Sequence, residues 1–154
     1  MAQTNDGETP PCDIKCIRES FEVLTPQGHA FINHYFEVLF KNHSEIIPLY
    51  DGMDMDVQKA NLLSALAHLV NHLDNPDTLA PTLQETAENL RLGNPEHLTL
   101  VTGTLIDSMK RYAGVLWNPT WQTEWEKLLH YVAQAAHRKD NQDHKENDMT
   151  STSD

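Results

Sequence analysis

The sequence predicts an all-α protein, and three observations carry that prediction. Apolar residues between Ile14 and Ala136 recur at three- and four-residue spacing. No segment sustains a two-residue alternation and β-branched residues do not run together, so strands are not expected. Clusters of Pro, Gly and Asn cut the apolar pattern into helix-sized pieces.

Ile14, Ile17, Phe21 and Leu24 mark a first helix, stopped by Thr25-Pro26. Thr25 as N-cap, with Pro26 in the first turn, opens a second helix striped by Phe31, Ile32, Tyr35, Phe36, Leu39 and Phe40. Ser44 caps a short turn that brings Ile46, Ile47, Leu49 and Tyr50 together. A loop from Asp51 to Asp56 supplies an acidic start signal for a long helix through Leu62, Leu63, Leu66, Leu69, Val70 and Leu73. Asp74-Asn75-Pro76-Asp77 breaks it, and Leu79, Leu83, Ala87 and Leu90 form a shorter one. Gly93-Asn94-Pro95 ends that helix and starts another, with Leu98, Val101, Leu105, Ile106, Met109 and Tyr112. Past Gly114 and Asn118-Pro119, the last helix holds Trp121, Trp125, Leu128, Leu129, Val132 and Ala136. About seven helices of unequal length, the third very short, are not a four-helix bundle. No period of tens of residues repeats, so the chain is not a solenoid.

At 154 residues the chain is one domain's worth. The helical pattern fills 12–137, with polar segments at 1–11 and 138–154 that lack apolar periodicity and are expected to be disordered. A net charge of −12 with only 11 Lys and Arg argues against nucleic acid and against an anionic membrane face. The first residues have no basic start or apolar run, and no stretch of about eighteen apolar residues exists to span a bilayer. A cytoplasmic location is therefore expected, with Cys12 and Cys16 as reduced thiols. No nucleophile–base pair, Gly-rich phosphate loop or His/carboxylate spacing suggests an enzyme.

The segments FINHYFEVLFKNHSEIIPLY, VQKANLLSALAHLVNHLDNPDTLAPTLQ, PEHLTLVTGTLIDSMKRYAG and TEWEKLLHYVAQAA run in the same order as helices of one family. In that order they resemble the bacterial single-domain haemoglobins and the haem domain of flavohaemoglobins, over roughly residues 14–137. The resemblance implies a globin fold and, with it, haem and a small gaseous ligand such as oxygen or nitric oxide. It places Gln58 at the distal site facing bound gas and Leu62 one turn later, closing the pocket. Phe36 stands where these proteins usually have a Tyr that donates to bound oxygen, and Tyr50 at the aromatic position packed on the porphyrin.

The proximal site departs from the pattern. The family reads LxPxLxxLGxxH, and this chain reads LAPTLQETAENL, with Leu90 in the histidine's place and two residues missing before Pro95. No His occurs from 73 to 96, and axial ligation in globins comes from that histidine. His68 and His72 share a helix face but lie turns beyond Gln58, a spacing more often solvated than metal-binding. Without the iron–histidine bond, burying on the order of 500 Å² of porphyrin at about 25 cal/mol per Å² still contributes roughly 12 kcal/mol as an upper bound.

Three readings follow. The nominal one is a haem globin whose haem is atypically ligated, with an external reductase if it turns over nitric oxide. The second is a haem-free globin fold holding an apolar ligand, a fatty acid or bilin, as a sensor. The third is an interaction protein with a filled pocket. An open apolar cavity among Phe36, Tyr50, Leu62 and Leu90 favours either of the first two, and a close-packed interior favours the third.

Overall fold

Helix-start residues set most of the boundaries. The computed structural model describes residues 12–153, with side chains through Ala136. Asp13 accepts from the Cys16 N–H and opens α1 (Ile14–Leu24). Asp54 accepts from Asp56 N–H ahead of α3 (Met55–Asn71), and Asn75 from Asp77 N–H ahead of α4 (Pro76–Asn89). Asn94 caps the turn Pro95–His97 that leads into α5 (Leu98–Ala113). The Asn118 side chain accepts from Trp121 N–H at the start of α6 (Pro119–Ser153). With α2 (Gly28–Asn42), the described residues hold six α-helices, no strand, and a short 3₁₀ segment at Ser44–Tyr50 in place of the expected third helix.

Two caps differ from expectation. Thr25 takes helical dihedrals, and its hydroxyl donates back to the Phe21 carbonyl. An N-cap needs an extended residue whose oxygen turns forward, so Thr25 closes α1, and α2 begins three residues later without a side-chain cap. Ser44 makes no cap bond either. In the turn it was to start, Ile46 and Tyr50 are buried while Ile47 and Leu49 face water. The segment expected to be disordered at 1–11 lies outside the described residues. At 138–153 the backbone of α6 continues as helix, and its side chains there lie outside them.

The helices share one buried cluster. Helix α4 packs on α3 and on α6, while α2 packs on α5 and α3. At Gly28, the start of α2, an added Cβ would sit 3.0 Å from a Leu63 methyl of α3. Helix α1 is held at both ends of its packing face. Arg18 donates to the Val70 and Asn71 carbonyls at the end of α3 and pairs with Asp74 at 3.1 Å. The guanidinium's hydrogen bonds hold the Asp74 carboxyl below its usual range. On the other side the buried Trp125 indole donates to Ser20 Oγ at 2.7 Å, and Ser20 in turn donates to Ile17 O. Cys12 and Cys16 are free, and burial with the nearby Glu124 and Asp13 pushes the Cys12 thiol up to about 11. No helix of the described residues is long and apolar enough to cross a membrane.

Removing the Ser20 hydroxyl strands the Trp125 N–H in the core. Ser20→Ala is expected to lower stability by about 1–3 kcal/mol, whereas Ser20→Ala in a Trp125→Phe background costs much less. Urea denaturation of the four proteins measures the difference.

Candidate functional site

Four of the five residues read as pocket-lining come together in the core. Phe36 from α2, Tyr50 from the 3₁₀ turn, Leu62 from α3 and Leu90 just past α4 all belong to the buried cluster. Phe36 meets Tyr50 edge-on with ring centroids 5.5 Å apart, and Phe40 closes an aromatic triangle at 5.8 and 5.4 Å. Gln58, in the second turn of α3, is half-buried, and its Oε1 accepts from Arg91 Nη2 at 3.1 Å.

Arg91 is the residue that the sequence reading missed. Helix α4 ends in a Schellman turn: Leu92 N–H donates to Ala87 O and Arg91 N–H to Glu88 O. That turn requires a left-handed residue, and Arg91 supplies it with φ of 58°. A side chain there costs about 1–2 kcal/mol relative to glycine. The glycine that would suit the position, Gly93, lies two residues later. From this turn the guanidinium reaches across to three places. It donates to Gln58 Oε1, lies 2.9 Å from Met53 Sδ, and sits over the Tyr50 ring at 4.9 Å from its centroid. Its Nε is buried without a partner. One cation thus joins the end of α4 to the start of α3 and to the aromatic triangle. The only sequence signal for this was the two-residue shortening.

A haem would have to lie between α3 and α4, and three observations bear on its fit. Phe36, Tyr50, Leu62 and Leu90 are 2, 5, 0 and 0 % exposed. A water-sized chamber enclosed by these four would leave accessible surface on their inner faces, so they pack on one another and their neighbours without one. Next, α4 touches α3 directly: the buried Thr86 hydroxyl donates to Thr82 O and reaches Ala65 O on α3 at 3.4 Å. Finally, the donors are wrong for iron. Leu90 is an apolar C-cap. Burial pushes the Tyr35 and Tyr50 phenols above their ordinary range, with the Arg91 guanidinium offsetting part of it at Tyr50. His68 lies 3.3 Å from Glu85 and His72 bonds Thr78 at 2.6 Å, both along the α3–α4 contact. The residues present therefore do not fit a haem held in the family's manner. Among the described residues no group of three or more His, Cys, Asp or Glu could hold a metal ion.

The Tyr35 and Tyr50 hydroxyls are buried and make no hydrogen bond. Tyr50 lies beside the guanidinium without a bond of good geometry. Tyr35→Phe is expected to leave stability unchanged or raise it by about 1 kcal/mol, since it removes an unsatisfied polar atom. At Arg91, Arg91→Gly is expected to be more stable than Arg91→Ala by roughly 1 kcal/mol, because both lose the bridge but only alanine keeps the left-handed strain. Thermal or urea melts check both comparisons.

The sequence profile of the globin family matches residues 29–136, more than half of the chain. A flavohemoprotein of Rhizobium meliloti (strain 1021) is 26% identical over 102 residues, covering 64% of this chain and 25% of the relative. A flavohemoprotein of Bacillus anthracis is 23% identical over 105 residues, covering 66% and 26%. The chain spans about a quarter of the length of these curated relatives. Helix order, the buried cluster and the profile match agree, and the chain belongs to the globin family.

Proposed function

We propose that this globin works without haem, as an interaction protein built on a filled interior. Family membership makes haem and small gaseous ligands the expectation for the family as a whole, and the flavohemoprotein relatives agree with it. The observation that supports a different outcome here is the Arg91 bridge. A guanidinium bonded to Gln58 and stacked on Tyr50 occupies the approach between the proximal and distal positions. Leu62 and Leu90 are fully buried, so neither presents a surface to a porphyrin between α3 and α4. The reading includes no enzymatic step and needs no reductase.

A second reading keeps haem with a substitute ligand, and one feature favours it. His97, on the turn ahead of α5, has a buried Nδ1 without a hydrogen-bond partner. For that imidazole to reach iron, α3 and α4 must part and Arg91 must release Gln58.

An absorption spectrum of the purified protein before and after adding hemin separates the two. The filled-interior reading expects no sharp Soret band, only the broad band of loosely held hemin. Leu90→His is expected to leave that spectrum unchanged, because the added imidazole finds no room for a porphyrin beside it, and to lower stability by about 1–3 kcal/mol. A sharp Soret band in the unaltered protein that disappears in His97→Ala would overturn the haem-free reading and establish the second.

A further inference from the structure

Of the six exposed large hydrophobic side chains among the described residues, Val115 and Leu116 lie in the turn after α5, and the other four share one place. Ile47, Leu49, Met53 and Val57, at 43, 37, 40 and 49 % exposed, fall within eleven residues at the corner where the 3₁₀ turn leads into α3. Between α2 and α3 lies an open groove of about 330 Å³, joined to this corner by Phe40, whose ring packs on Tyr50 of the 3₁₀ turn. Phe36, Phe40 and Met55 supply its apolar walls, and Asn33, Glu37 and Lys59 its polar edge. Clustered apolar side chains exposed to water beside an apolar groove mark a contact surface for another molecule.

Charge identifies the kind of partner. Between residues 37 and 59 there are five carboxylates, Glu37, Glu45, Asp51, Asp54 and Asp56, all exposed, against Lys41, Lys59 and, reaching in beside Met53, Arg91. The balance around the apolar centre is thus acidic, and an acidic partner would be repelled. A groove between two helices suits an amphipathic helix laid along it with apolar side chains pointing in. We propose that the corner of residues 44–59, with the α2–α3 groove, docks a cationic amphipathic segment of another protein. Apolar anchors of that segment enter beside Phe40 and Met55, and its Lys or Arg side chains face the surrounding carboxylates. This names the surface and partner chemistry for the interaction reading above. It can fail while that reading stands, because the hemin spectrum does not depend on this corner.

The test titrates the full chain, labelled for amide NMR, with a synthetic helical peptide of Leu and Lys whose leucines share one face. A peptide of identical composition in scrambled order is the control for the protein's overall negative charge. The expected result is amide shifts concentrated at residues 33–59 and binding at least tenfold tighter than the scrambled peptide. Glu45→Lys with Asp51→Lys, and separately Ile47→Ser with Leu49→Ser, are expected to weaken binding at least tenfold. All four positions are exposed, and melting curves of the variants verify that the fold is kept. Equal binding of the two peptides, shifts elsewhere on the molecule, or affinity unchanged in both variants would overturn the proposal. Concentration-dependent shifts at this corner without peptide would overturn it too, by assigning the surface to a second copy of the chain.

Discussion

The Thr86 hydroxyl, turned back onto its own helix and toward the Ala65 carbonyl, marks the line along which α4 lies on α3. That direct contact governs the rest of the interior. Because the two helices touch, Leu62 and Leu90 pack as core residues instead of facing a bound molecule. Because α4 then stops at Asn89, the chain must reverse in a tight turn, and the turn places Arg91 where its guanidinium can reach α3. His68 with Glu85 and His72 with Thr78 continue the same seam toward its far end. Both atoms of the first pair are well exposed, so it contributes little beyond alignment.

Most of the architecture was legible in the sequence. Helix starts announced by Asp54, Asn75, Asn94 and Asn118 stand where the residue types placed them, because an Asx side chain satisfies the first free N–H groups at short range. The caps that misled, Thr25 and Ser44, depend on backbone dihedrals that residue type does not determine. A Thr before Pro can close one helix as readily as open the next, and here the chain runs through in helical dihedrals. The burial of Phe36, Leu62 and Leu90 followed from periodicity, since each sits on a helical apolar stripe, whereas in the turn of Tyr50 residue type did not tell the buried Ile46 from the exposed Ile47.

The site itself was less legible. The sequence shows a leucine at position 90, where the resemblance implies an imidazole, but not whether the space beside it is empty or closed. Closure depends on helix-to-helix distance, a long-range quantity without a local signature. Arg91 illustrates the gap. Its type suggests solvent, and nothing in its neighbours announces a left-handed turn that an arginine ordinarily avoids. Only the shortened run to Pro95 carried the information, and it said where the chain was tight without saying which side chain would be driven inward. Gln58, placed by the resemblance where bound gas would sit, also accepts from this guanidinium, a contact no local pattern announces.

The Arg91 turn also limits what a single substitution can do. An imidazole placed at position 90 would stand at the C-cap of α4, with the guanidinium still bonded to Gln58 and stacked on Tyr50. Removing the guanidinium instead unties Tyr50, Met53 and Gln58 together. One side chain thus serves as a shared joint of three segments, and a change made to one of them is felt by the other two.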